Sequence, residues 1–197
     1  EYTYTELSEA ALRLSFYLVK AGVQKGDRVA ICIENSWQSI VSIYATTLAG
    51  GVFLVINPQT KADKLQYILN DSGAKVFIST SMLRNELNSA LEGVLSLREV
   101  IITGDESQIK VLNSTFKLTN YEGILSLESD SSVVVSTIPN DLAALIYTSG
   151  STGFPKGVMM THQSMVFTSW SLIEYLRLTE NDRILLILPL AFDYGLY

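Results

Sequence analysis

The chain has 197 residues, 48% of them hydrophobic and 17% charged, with a formal net charge of −6. That length accommodates one sizeable α/β domain or two small ones, and the apolar share implies a substantial core. The acidic balance, with no local Lys/Arg cluster, excludes general nucleic-acid binding, and no run of about 18 apolar residues exists to span a membrane.

The spacing predicts a first helix over Tyr4 to Ala21, with Thr3 and Glu6 at capping-box separation and Gly22 as its stop. Nothing before it has the pattern of a signal peptide. After the turn Lys25-Gly26-Asp27, the β-branched run Arg28 to Ile33 reads as a buried strand of a parallel sheet. It contains the single cysteine, Cys32, which has no partner for an internal disulfide and reads as inert packing. Such cysteine usage predicts a reducing, cytoplasmic setting. A helix over Ser36 to Ala49, a strand over Val52 to Ile56 and a helix over Lys61 to Asn70 follow. Next come a strand over Lys75 to Ser79, a helix over Met82 to Leu91 and a strand over Glu99 to Thr103. This alternation predicts βαβ units and a mainly parallel sheet with flanking helices.

From about 104 to 132 the periodicity fades into Ser, Asn, Asp and Glu, with one short helical candidate near Tyr121 to Leu125. This stretch reads as an irregular connection. Regular pattern returns with a strand over Leu142 to Tyr147, then a short strand over Gly157 to Thr161 and a helix from about Gln163 to Leu178. A further buried strand is expected over Arg183 to Leu188. The apolar, aromatic end and the abrupt start predict a piece of a larger protein, with some apolar surface covered by parts outside this sequence.

The strand at Leu142 delivers the loop Thr148-Ser149-Gly150-Ser151-Thr152-Gly153-Phe154-Pro155-Lys156-Gly157. Its glycines tolerate close backbone approach, its hydroxyls and amides donate hydrogen bonds, and Lys156 adds a point charge. A polyphosphate needs that combination. The Walker A pattern fails, because Lys156 is preceded by Pro155, followed by Gly157, and a strand intervenes before any helix. The dinucleotide fingerprint fails on glycine spacing. A flexible Gly/Ser linker is disfavoured by the apolar strands on both sides and by the Pro-Lys-Gly ending.

Thr148 to Gly157 closely resembles the phosphate-binding signature of the adenylate-forming superfamily: acyl-CoA synthetases, adenylation domains of nonribosomal peptide synthetases, and luciferases. The likeness extends to Tyr2-Thr3-Tyr4-Thr5-Glu6-Leu7, to Gly26-Asp27-Arg28-Val29-Ala30 and to Ala49 through Pro58. It implies that residues 1–197 are the front part of the large N-terminal AMP-binding domain. It also implies attack of a carboxylate on the α-phosphorus of ATP, release of pyrophosphate, and transfer of the acyl group to a thiol of coenzyme A or a carrier-protein phosphopantetheine. By the resemblance, Thr148, Ser149, Ser151, Thr152 and Lys156 engage the β- and γ-phosphates. Lys156 and Thr148 are the catalytic members, and Gly150, Gly153 and Gly157 permit close backbone approach. Mg2+ is implied as the ATP counter-ion, and no protein metal site is expected.

Phe192-Asp193 falls where family members carry a substrate-pocket motif. Phe-Asp there is frequent in amino-acid-activating members, where the aspartate binds the substrate ammonium. Tyr194-Gly195-Leu196, however, resembles acyl-CoA synthetases, so both an amino acid and an acyl chain stay open, with the amino acid favoured. Tyr194 and Tyr197 flank Asp193 and are candidates to wall the pocket. Asp193 as a helix N-cap is the plainer alternative. His162 has no partner motif and reads as structural, as do Trp37 and Trp170. The family's magnesium-binding glutamate motif, its Tyr-x-x-Gly-Asp ribose motif, its hinge and its small C-terminal domain with the catalytic lysine have no counterpart here. The 197 residues alone are therefore expected to be inactive. A noncatalytic nucleotide-binding module and a structural interaction domain are the competing classes.

Overall fold

A computed structural model describes residues 1–109, 116–127, 135–148 and 154–196. It opens with α1 (Tyr4–Lys20), whose start is fixed by the expected capping box. The Glu6 amide donates to Thr3 Oγ1 at 3.2 Å, and the Thr3 amide donates to Glu6 Oε2 at 2.7 Å. Then follow β1 (Arg28–Cys32), α2 (Trp37–Leu48), β2 (Val52–Val55), α3 (Ala62–Ser72), β3 (Val76–Thr80), α4 (Arg84–Ala90) and β4 (Glu99–Thr103). These bounds match the expected elements to within one or two residues, apart from a short 3-10 turn at Ser81–Leu83 that opens the α4 segment.

The connection after β4 is more ordered than its composition suggests. It contains β5 (Lys117–Asn120), which the sequence reading missed, and α5 (Tyr121–Leu125), which it found. The strand is short and polar because it lies at the edge of the sheet, where one face and one ladder are open. Beside it, Tyr121 is fully buried and donates its hydroxyl to the Gln38 carbonyl at 3.1 Å.

The chain then crosses to the other side of the sheet. β6 (Leu142–Thr148) pairs with β2, and β7 (Lys156–Thr161) returns beside β6. The seven strands run in the order β5-β4-β3-β1-β2-β6-β7, all neighbours parallel except β6 and β7. This is the expected mainly parallel α/β architecture. Alternate strand residues feed two cores. Val29, Ile31, Phe53 and Ile78 face α1, α2 and α5, whereas Ala30, Cys32, Leu54 and Phe77 face α3 and α4. Burial, and secondarily Glu34, push the Cys32 thiol up to about 12, consistent with inert packing.

α6 (His162–Leu176) is capped by Thr161, paired reciprocally with Ser164. The expected buried strand at Arg183–Leu188 does not form. No ladder includes it among the described residues, and Ile184, Leu185 and Ile187 are more than three-quarters exposed. Its sequence favours a strand, but a strand needs a neighbour to accept its backbone hydrogen bonds. The chain ends in the one-turn helix α7 (Asp193–Leu196). Among the described residues, no helix is long and apolar enough to cross a membrane.

Candidate active site

The carboxyl ends of β1, β2 and β6 lie together, and ligands of open parallel sheets bind in the crevice at such ends. The suspected phosphate loop is the connection of the β6–β7 hairpin. Its two proposed catalytic residues, Thr148 and Lys156, are direct cross-strand partners, which puts their side chains on one face of the ladder. Both are exposed, and Lys156 makes no ion pair among the described residues. A free ammonium opposite a hydroxyl is suited to an anionic ligand. Ser149, Gly150, Ser151, Thr152 and Gly153 lie outside the described residues.

The next pair inward is Tyr147 with Gly157. A Cβ on Gly157 would stand 3.3 Å from the Tyr147 ring. The glycine thus makes room for an aromatic side chain of the hairpin itself, a role distinct from the ligand approach that the resemblance implies. Tyr147 donates its hydroxyl to Asp71 Oδ2 at 2.6 Å. Burial first, and then the Asp71 carboxylate, push its pKa well up, so the phenol stays neutral and donating.

Two cavities open at these strand ends, one of them beside the hairpin. One, of about 280 Å³, is bordered by Thr148 and Pro155 of the hairpin, Lys64 of α3, Asn57 after β2, and Phe192. The other, of about 300 Å³, shares Asn57 and Phe192 and extends to Glu34 and Asn35 after β1. Phe192, half-exposed, therefore stands between the two, within the neighbourhood of the loop. Asp193 begins α7, and its side chain lies outside the described residues, as do those of Tyr194 and Tyr197. The larger cavities both follow α6, one against residues 137–139 and the other against α2, and are bordered mostly by apolar side chains. Lys156 borders neither of them.

Asn35 is a site residue that the sequence reading missed. Its carboxamide donates to the Leu188 carbonyl at 2.8 Å and accepts from the Leu190 amide at 3.0 Å. It thereby fixes the segment leading to Phe192 and Asp193 against the end of β1. An asparagine three residues after β1, where the backbone is turning, is the only signal in the sequence. Gly195 completes that segment, since a Cβ there would run into the Pro189 carbonyl oxygen. His162 is structural in placement: its amide donates to the Asp141 carbonyl at 3.0 Å as α6 begins. Among the described residues no group of three or more His, Cys, Asp or Glu could hold a metal ion.

The chain is similar to known proteins in both sequence and fold. The chain is 37% identical over 194 residues to surfactin synthase subunit 2 of Bacillus subtilis (strain 168), covering 98% of the chain and 5% of that protein. It superposes on ATP-bound MatB from Rhodopseudomonas palustris with a TM-score of 0.80 at 28% identity, covering 98% of the chain and 36% of MatB. It also superposes on VinN in complex with 3-methylaspartate, with a TM-score of 0.79 at 25% identity, covering 99% of the chain and 50% of VinN. The chain thus spans half or less of each. The family model described as AMP-binding enzyme matches residues 1–197, and the chain belongs to that family.

Proposed function

We propose that this chain is the front part of the large N-terminal domain of an enzyme that activates a carboxylic acid with ATP. The observation that carries the reading is the Thr148–Lys156 pair, which closes a glycine-rich hairpin at the carboxyl ends of the parallel strands. A carboxylate oxygen attacks the α-phosphorus, the bond to the bridging oxygen breaks, and pyrophosphate leaves with the electron pair. Charge grows on the departing phosphates, so a cation and oriented hydroxyls stabilise that transition state. Lys156 and Thr148 supply them, joined by Ser149, Ser151 and Thr152, while Gly150 and Gly153 let the backbone come close. Magnesium enters as MgATP, neutralising phosphate charge. A thiol of a carrier-protein phosphopantetheine or of coenzyme A then attacks the acyl carbon, and AMP leaves.

An amino acid is the favoured acid. Phe192 borders both small cavities, and the family resemblance of Phe192-Asp193 supports a role for Asp193 in meeting a substrate ammonium with a charge-assisted hydrogen bond. The likeness to a protein complexed with 3-methylaspartate supports the same reading. Tyr194-Gly195-Leu196 favours the second reading, an acyl acid without an amino group. The test is acid-dependent ATP–pyrophosphate exchange by the full-length protein, across amino acids and fatty acids. Exchange with amino acids that is lost in Lys156→Ala and in Asp193→Ala is expected. Exchange stimulated only by acids lacking an amino group would overturn the role of Asp193. Exchange unchanged in Lys156→Ala would overturn the phosphate site.

A further inference from the structure

One face of α3 touches both flanks of the loop. Tyr67 and Asp71 are four residues apart and so project from the same side of the helix. Asp71 accepts the Tyr147 hydroxyl at 2.6 Å, on the residue immediately before Thr148. The Tyr67 ring lies against the Phe154 ring, centroids 5.0 Å apart, two residues before Lys156. Lys64 and Ile68 of the same helix border the small cavity together with Thr148 and Pro155.

Neither contact is explained by the needs of α3 itself. Asp71 sits in the last turn, where a carboxylate opposes the helix dipole. The carbonyls at that end are served by Arg28, which donates to Ser72 O at 2.6 Å and to Gly73 O at 3.2 Å. Phe154 is 63% exposed, so its ring adds little to the core. What the two contacts share is the hairpin: one holds the arm that ends in Thr148, the other the arm that leads to Lys156. Gly157 is part of the same arrangement, because any side chain there would press on the ring of Tyr147.

We propose that α3 is the platform that positions the two arms flanking the phosphate loop, with Asp71–Tyr147 and Tyr67–Phe154 as positioning pairs for nucleotide binding. This rests on reading the loop as a polyphosphate site. The pairs act through Thr148 and Lys156, by holding the two arms at the separation that a nucleotide requires.

The experiment is equilibrium dialysis of radiolabelled ATP against the full-length protein, well below the unfolding temperature of every variant. Tyr147→Phe and Asp71→Ala are each expected to weaken ATP binding about tenfold. The double variant should be no weaker than the worse single, because both remove one hydrogen bond. Asp71→Asn should recover affinity to within about twofold of the parent, since its carboxamide oxygen still accepts from Tyr147. A purely fold-stabilising pair would lower the unfolding temperature without this pattern in affinity. Phe154→Ala, at a position 63% exposed, should weaken binding about fivefold with little change in unfolding temperature. Parental affinity in both Tyr147→Phe and Phe154→Ala overturns the platform. So does a double variant whose losses multiply. Lys156→Ala distinguishes the platform from the phosphate site itself. If it too binds ATP normally, the phosphate reading fails and the platform falls with it. If it alone binds weakly, only the platform fails.

Discussion

The two sides of the sheet are written in similarly apolar sequence, yet they meet water differently. β1 to β4 lie between helices on both faces and bury nearly every residue. β7 is exposed along most of its length, α6 buries no residue, and the apolar run from Ile184 to Leu188 stands in solvent. Apolar pattern specifies what a segment can do, whereas burial depends on what is packed against it. The first side has two opposed helical layers and is a complete core. The second presents a hairpin and a helix whose apolar faces are exposed, and it is this less anchored side that carries the candidate phosphate site.

The largest effect that can test this contrast is a truncation in each half. Phe77 is completely buried at the centre of the α3/α4 core. Phe77→Ala should destabilise the protein by about 3–5 kcal/mol, from lost transfer energy and the cavity left behind. Trp170 is the larger residue but is 70% exposed on α6, so Trp170→Ala should stay within about 0.5 kcal/mol. Urea unfolding of the two variants reads this directly. Equal losses would mean that α6 is packed in solution and that the two sides do not differ.

A second, smaller effect concerns the far edge of the well-packed side. Glu99 is buried at the start of β4, where it accepts from the Tyr17 hydroxyl and, at 2.6 Å, from Thr119 Oγ1. Lys117 approaches at 3.4 Å and donates to the Tyr17 hydroxyl at 2.7 Å. This cluster ties α1 to the edge strand β5. Glu99→Ala removes the shared acceptor of two hydroxyls and should cost about 2 kcal/mol in the same unfolding assay, less than Phe77→Ala. Loss of β5 without global unfolding would appear as faster hydrogen exchange confined to residues 117–120.

The legibility of the sequence followed the same division. The strands of the well-packed side were readable because β-branched runs such as Val29 to Ile33 need only one interpretation when both faces are buried. The two strands of the β6–β7 hairpin are readable because apolar runs flank the Gly/Ser/Thr stretch on both sides. β5 was hidden, since a four-residue polar edge strand looks like loop. Arg183–Leu188 was misread for the converse reason: its propensity is that of a strand, but pairing is a tertiary event that propensity cannot supply. Asn35 and Asp71 act on residues more than seventy positions away, and no local pattern announces such contacts.

Asn35 offers a smaller and more local test of how the two sides are joined. Asn35→Ala removes both hydrogen bonds to the 188–190 backbone. Amide exchange at Leu190 should quicken about fivefold, the equivalent of ~1 kcal/mol, with little change in the urea midpoint. Unchanged exchange would mean that Gly195 and its neighbours hold the segment without help from β1.

The smallest effect is electrostatic and has a defined sign. Lys25, in the turn before β1, lies 2.6 Å from Asp141, which opens β6. That hydrogen bond first, and the Ile138 amide second, hold the Asp141 carboxyl below the ordinary carboxylate range. A folded-state pKa below the unfolded value, about 3.9, gives stability that is present above that value and lost as pH falls through the folded one. Asp141→Asn should therefore unfold more easily than the parent at about pH 6, and the two should converge as the solution is acidified below about pH 4. Because the pair is solvent-screened, added salt should narrow the gap at neutral pH as well. A gap that persists into acid would show that Asp141 acts through its contacts with the chain at Ile138 and not through Lys25, and the ionic tie between the two sides of the sheet would then have no energetic content.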